Sequence, residues 1–231
     1  MLDSVTPLLP IPDPHMRRLQ SGFTLIELLI VISIISLLAA VLLPTVFGTQ
    51  VAANVTADSF NLKWHGEQLE LYKMQHKRGL PTEGGAKFVL STWSIVSKTE
   101  ENFDRYFTPG RRDNDPEYRS LRNQIEKGEK IWEDIKGLTS LDTHYAGRAR
   151  EHLQSATSGE DEALMADDNE GVWSHANGSV NVLFNGGQVR TYSFPDLKSR
   201  GYVQGEFDKN APIETAGPNS PIPECRKLSS N

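Results

Sequence analysis

Glu27 is the residue in this sequence that most needs a chemical reason. It is a carboxylate inside the run FTLIELLIVISIISLLAAVLL at residues 23–43, where seventeen of 21 positions are apolar and the exceptions are Thr24, Glu27, Ser33 and Ser36. An acidic side chain in a membrane helix is costly, so by default it is functional and awaits a cationic partner. A second set of candidate ligands lies far downstream. Asp167, Asp168, Asn169 and Glu170 are hard oxygen donors ahead of Gly171. They lack the alternating ligands over a twelve-residue loop that an EF-hand needs, and the segment reads as an exposed acidic loop capping a hairpin. No metal or cofactor is assigned; were an ion held there, calcium at Asp167, Asp168 and Glu170 would be the expectation. His144, His152 and His175 would form a zinc site only if folding gathered them, because no H-x3-H or HExxH spacing exists. A lone His175 reads as a hydrogen-bonding structural residue. There is no G-x-S-x-G, no phosphate-cradling glycine loop and no credible cysteine nucleophile, so the chain is not expected to be an enzyme.

The element that must position Glu27 is the apolar run itself. Twenty-one helical residues at ~1.5 Å each reach about 31 Å, the thickness of a bilayer's hydrocarbon core. Nothing later in the 231 residues approaches this density, so one span is the limit. A cleaved secretory signal has a shorter apolar core of roughly 7–15 residues. A plain anchor fits the length, with Arg17 and Arg18 holding the N-terminal side in the cytoplasm, but neither reading accounts for Glu27. The 24 basic and 30 acidic residues give a net charge of −6, nearly all of it in residues 45–231. That acidic, otherwise ordinary composition excludes a multi-span, collagen-like or fully disordered chain and argues against nucleic acid as a partner. Cys225, the single cysteine, excludes an intrachain disulfide framework and a cysteine zinc cluster.

The residues leading into the run carry a family resemblance. Arg17-Arg18-Leu19-Gln20-Ser21-Gly22 followed by Phe23-Thr24-Leu25-Ile26-Glu27 closely resembles the class III signal of type IV pilins and type II secretion pseudopilins. The resemblance covers about 30 residues and implies cleavage after Gly22 by a prepilin peptidase and methylation of the new amine on Phe23. It further implies that Glu27 pairs with the amine of a neighbouring subunit and sets axial register in a filament. The chemistry is independently reasonable. Gly22 has the permissive backbone that cleavage beside a helix start requires. A buried carboxylate gains by joining a subunit that offers a cation. Pro44, at its usual place in that family, should kink the helix without ending it. Residues 1–22 are then a leader, within which MRRLQSG from Met16 has the usual length. Residues 1–15, Pro-rich and aperiodic, read as an upstream extension.

Beyond Pro44 the pattern becomes amphipathic. Val51, Val55, Leu62, Leu69 and Tyr72 recur at helical spacing, with Asn54, Asp58, Lys63, Glu67 and Lys73 between them. One helix is expected from 23 to about 76, divided into an assembly segment at 23–44 and an amphipathic continuation at 45–78, with Trp64 and His65 as packing residues. The head is expected at 79–215. Residues 87–96 fit a short helix or strand, 113–116 (DNDP) a turn, and 117–135 a helix with a solvated charged face. The strongest local signal is two β-prone runs, SVNVLF and QVRTYSF, around Asn185-Gly186-Gly187, which predicts a hairpin. His175, nine residues, then Asn185-Gly186 also resembles the H-x9-D-G pattern of a large bacterial group with pilin-type N-termini. Asn185 stands where that group has aspartate, which puts a metal role there in doubt. Tyr145-Ala146-Gly147-Arg148 looks like the same group. The C-terminal SPIPECRKLSSN, within 216–231, reads as a flexible tail.

The fold expected is therefore pilin-like α+β, a long N-terminal helix packed on a small antiparallel sheet. The function expected is structural: a pseudopilin or minor pilin assembled into a type II secretion pseudopilus or pilus-like filament. Its partners would be prepilin peptidase, other pilin or pseudopilin subunits, an inner-membrane assembly platform and membrane lipid. It would start as a single-pass protein of the bacterial inner membrane with its head in the periplasm. The alternative is a membrane-anchored periplasmic binding protein that does not polymerise; a tethered enzyme ranks third.

Overall fold

A computed structural model describes residues 23–77, 79–154, 159–167, 173–211 and 213–231. The chain divides after Thr45 into two compact units. Helix α1, Leu25–Gln75, begins in the first and supplies residues to the second, with Pro44 inside it. A proline lacks an N–H and crowds the preceding turn, yet the helix does not end there. Residues 23–47 contribute nothing to the core: Ile26 is 66% exposed, Leu37 69% and Phe47 65%. Among the described residues α1 is the one helix long and apolar enough to cross a membrane. Ser33 and Ser36 donate their hydroxyls back to the carbonyls of Leu29 and Ile32 at 2.7 Å, so neither brings an unpaired polar group to this segment.

In the second unit α1 buries Asp58, Leu62, His65 and Leu69, a four–three–four spacing that marks one helical face. That face lies on a five-stranded antiparallel sheet of order β4-β3-β2-β1-β5. The strands are β1 (Ala146–Arg148), β2 (Ala163–Ala166), β3 (Ser179–Phe184), β4 (Val189–Ser193) and β5 (Leu228–Ser229). Gly66 permits the close approach: a β-carbon there would sit 3.1 Å from Leu183 Cδ1. Leu62, Leu69, Tyr145, Met165 and Leu183 join an aromatic core with Trp93, Phe103, Tyr106, Phe107 and Trp132. Residues 87–96 resolve as helix: α2 (Ala86–Leu90) runs into a 3-10 turn, Ser91–Ile95. After α3 (Glu100–Asp104), Asp115 caps α4 (Pro116–Glu126) by accepting from the backbone N–H groups of Glu117 and Tyr118, and Pro116 takes the first turn. The helix expected over 117–135 therefore stops at Glu126.

The hairpin forms as its residues predict. β3 pairs with β4 from Ser179↔Ser193 to Leu183↔Val189, and the positive φ of the turn falls on Gly187 (77°), leaving Asn185 and Gly186 with negative φ. Short α5 (Phe194–Ser199) follows.

One segment overturns the sequence reading. Residues 216–231 are not a flexible tail. Ile222, Cys225 and Leu228 are buried against the sheet face away from α1, beside Val180, Val182 and Phe184. Their three-residue spacing suits the 3-10 helix Pro223–Lys227, whose side chains eclipse every third residue. Leu228 and Ser229 then pair with Arg148 and Gly147 as β5. The segment is ordered because the sheet face away from α1 is apolar at Val180, Val182 and Phe184 and needs a cover that α1 cannot supply.

Candidate functional site

In the first unit, the start of α1 is a reciprocal capping box. Thr24 donates its N–H and its hydroxyl to Glu27 Oε2 at 2.9 and 2.8 Å, and the Glu27 N–H donates to Thr24 Oγ1 at 3.2 Å. T-x-x-E satisfies two of the orphan donors of a helix N-terminus within one turn. Glu27 thus has an intrachain role that the Thr-x-x-Glu spacing signals and that its place in an apolar run obscured, and its carboxylate sits three residues from Thr24 at the start of the helix. Phe23 is exposed. Gly22 and the basic residues before it lie outside the described residues.

In the second unit the sheet and α1 gather a polar cluster inside the head. Asp58 comes from α1, Tyr145 precedes β1, Asp167 follows β2, His175 precedes β3 and Asn181 lies within β3. All are buried, with Asp58, Tyr145, Asp167 and Asn181 at 0% exposure. Tyr145 donates its hydroxyl to Asp58 Oδ1 at 2.5 Å. His175 Nε2 lies 2.9 Å from Asp167 Oδ2 and 3.5 Å from Asp58 Oδ2. The Asn181 side-chain amide reaches Asp167 Oδ2 at 2.9 Å, the Val55 carbonyl at 3.1 Å and Asp58 Oδ2 at 3.3 Å. Burial alone would push His175 down, but its hydrogen bond to Asp167 and the nearby Asp58 carboxylate outweigh it and raise the imidazole to about 10. Burial and the neighbouring Asp58 charge push Asp167 up. Burial would raise Asp58 too, but its hydrogen bonds win and hold it below the usual carboxylate range. The nearest atoms of Asp58, Asp167 and His175 all lie within 4.8 Å of one another, a spacing able to hold an ion.

Two sequence expectations change here. Asp58 is not on the solvated side of the helix, and Asp167 is not on an exposed loop. Asp58 stands three after Val55 and four before Leu62, a spacing that places it on the buried face. Asp167 extends the β2–β3 ladder, donating its N–H to the Asn181 carbonyl at 3.2 Å. Asp168 and Glu170 lie outside the described residues. The three histidines considered together do not meet: His144 Nε2 is 2.5 Å from Asp115 Oδ2, with Nδ1 accepting from the Thr108 N–H, while the His152 carbonyl accepts from Arg148. The H-x9-N-G spacing measures a strand. His175 and Asn185 lie at opposite ends of β3, whose six residues span about 20 Å. Asn185 bonds Lys73 Nζ and the Gly159 carbonyl instead, at 3.3 and 3.2 Å.

His65, the neighbouring buried histidine, gives a pH prediction. Burial pushes it down to about 4 from 6.5, its Nε2 lies 2.9 Å from the Arg105 carbonyl, and Nδ1 has no hydrogen-bond partner. The unfolded chain therefore takes a proton below about pH 6.5 that the fold refuses. Stability from this group is complete above that pH and lost as pH falls towards 4, a total on the order of 3 kcal/mol. Thermal unfolding between pH 7.5 and 4.5 should show a steep decline in the wild type and a visibly flatter one in His65→Phe.

Comparison with known proteins bears on the N-terminal segment. Residues 17–43 match the family described as the prokaryotic N-terminal methylation motif. Its N-terminal segment carries that motif. It is 40% identical over 74 residues to type II secretion system core protein G of Pseudomonas aeruginosa, covering 32% of this chain and 52% of that one. The protein of the same name from Dickeya chrysanthemi is 34% identical over 70 residues, 30% of this chain and 46% of its own length. The chain thus spans about half the length of the curated relatives it matches. No solved structure matches it. The matched motif ends at residue 43, and the polar cluster of the second unit lies wholly beyond it.

Proposed function

We propose that this protein is a pseudopilin: a structural subunit, not a catalyst, that waits in the bacterial inner membrane and is built into a type II secretion pseudopilus or a pilus-like filament. The observation that supports the reading is the methylation motif matched over residues 17–43, whose helical part from Leu25 keeps its apolar side chains outside any core. An apolar surface of this extent needs lipid or other helices to cover it. Prepilin peptidase would cleave after Gly22 and Phe23 would carry the methylated amine. The head, residues 79–215 with the packed 216–231 segment, would face the periplasm. Other pilin-like subunits and an inner-membrane platform would be the assembly partners.

The mature N-terminus tests this directly. Mass spectrometry of the membrane-extracted protein should find a chain beginning at methylated Phe23, and crosslinking in cells should trap it against further pilin-like subunits. A chain that retains its leader would overturn the reading. One that is processed but crosslinks to nothing would make it an anchor.

A further inference from the structure

We propose that Asp58, Asp167 and His175 form a buried transition-metal site, with zinc as the ion it fits, clipping α1 to the sheet. The proposal is independent of the assembly reading, since all three residues lie in the second compact unit, beyond the matched motif. A hydrogen bond accounts for only part of the geometry. One Nε2–H is directional and can serve Asp167 Oδ2 at 2.9 Å, whereas Asp58 Oδ2, 3.5 Å from the same nitrogen, is beyond hydrogen-bond distance. An ion is not directional and can serve both carboxylates. Zinc bonds of ~2.0 Å in tetrahedral array separate donor atoms by about 3.3 Å, between the two observed distances.

Three further observations point the same way. Asp167 Oδ1 is buried and has no hydrogen-bond partner, so the carboxylate has a second oxygen free to complete the donor set. The donors around the site already orient the ligands: Tyr145 holds Asp58 through its other oxygen, Asn181 reaches both carboxylates, and the Ser174 hydroxyl bonds the Asp167 carbonyl. Outer partners of this kind fix ligand rotamers in metal sites. Two carboxylates and a neutral imidazole around a divalent ion also carry no net charge, which removes the cost of burying an unbalanced one. One imidazole nitrogen with two carboxylates suits zinc. Calcium takes six to eight oxygens, and no further oxygen ligand stands unpaired here among the described residues.

The ligands come from three separated stretches of chain, so binding should couple to folding. The full chain in detergent is unfolded with chelator, refolded with zinc, with calcium or with neither, and desalted. Elemental analysis should then find one zinc per chain, a higher melting temperature with zinc than with calcium or chelator, and a visible cobalt spectrum of low coordination number after substitution. His175→Gln should weaken zinc binding on the order of 100-fold or more and abolish the melting shift. If His175→Gln does not fold, Asp167→Asn replaces it. The wild type is decisive in either case: substoichiometric zinc, no zinc-dependent shift, an equal shift with calcium, or uptake unchanged in a folded variant would each overturn the site.

Discussion

A Glu27→Gln chain is expected to insert and be cleaved like the wild type and to be nearly absent from filaments. Two functions converge on this carboxylate and the substitution separates them. Within the chain Glu27 closes the capping box by accepting from the Thr24 N–H and hydroxyl. Glutamine serves that position as well as glutamate does, so the helix start should survive. What glutamine cannot supply is the charge that a freed Phe23 amine on a neighbouring subunit would need. Leaving one member of a buried ion pair without its partner costs about 3 kcal/mol or more, equivalent to roughly a 100-fold loss in association. Thr24→Val is the converse control: it removes both bonds of the Thr24 hydroxyl, leaves the Thr24 N–H on Glu27 and keeps the charge, so assembly should fall only slightly. Filament incorporation can be read by crosslinking yield at equal membrane levels of each variant. Equal incorporation of Glu27→Gln and wild type would show that register is set by something other than this charge. An uncleaved Glu27→Gln chain would move the residue's role to processing.

The contrast between this segment and the head shows what a single sequence can disclose. The apolar run, the amphipathic continuation, the Thr-x-x-Glu start and the Asn-Gly-Gly hairpin are all written within a few residues of each other. Their physics is local: helical period, strand alternation and the φ demanded by a turn. The polar cluster draws on residues 58, 145, 167, 175 and 181, and no spacing announces that these will meet. One clue was available at Asp58, whose place in the four–three–four series with Leu62, His65 and Leu69 marks a buried position. Polar identity argued for the solvated side, and position wins because Tyr145, Asn181 and His175 await it. The same contest was lost at the C-terminus, where proline and serine suggested disorder. Ile222, Cys225 and Leu228 decide that segment, because the apolar sheet face away from α1 rewards any chain able to cover it.

Asp58 carries the second large effect. Asp58→Ala is expected to destabilise the head by about 3–5 kcal/mol, a large share of the 5–15 kcal/mol typical of a domain. The loss follows from its partners: Tyr145 has its buried hydroxyl 2.5 Å from Asp58, and Asn181 and His175 each face both aspartates. Removing the carboxylate leaves a buried hydroxyl without its acceptor and an imidazole with one counter-charge, and alanine leaves a void where the carboxylate stood. Asp58→Asn should cost less, on the order of 1–3 kcal/mol, because its carbonyl oxygen still accepts from Tyr145. Tyr145→Phe combined with Asp58→Ala should cost less than the sum of the two, since both delete one shared bond. Denaturant unfolding followed by tryptophan fluorescence reports on the second compact unit alone, because all four tryptophans (Trp64, Trp93, Trp132 and Trp173) lie beyond residue 45. A shift below 1 kcal/mol for Asp58→Ala would mean that apolar contacts such as Leu62 and Leu69 hold the helix to the sheet unaided. A large shift for alanine with a small one for asparagine would mean that the shape and hydrogen bonds of Asp58 matter more than its charge.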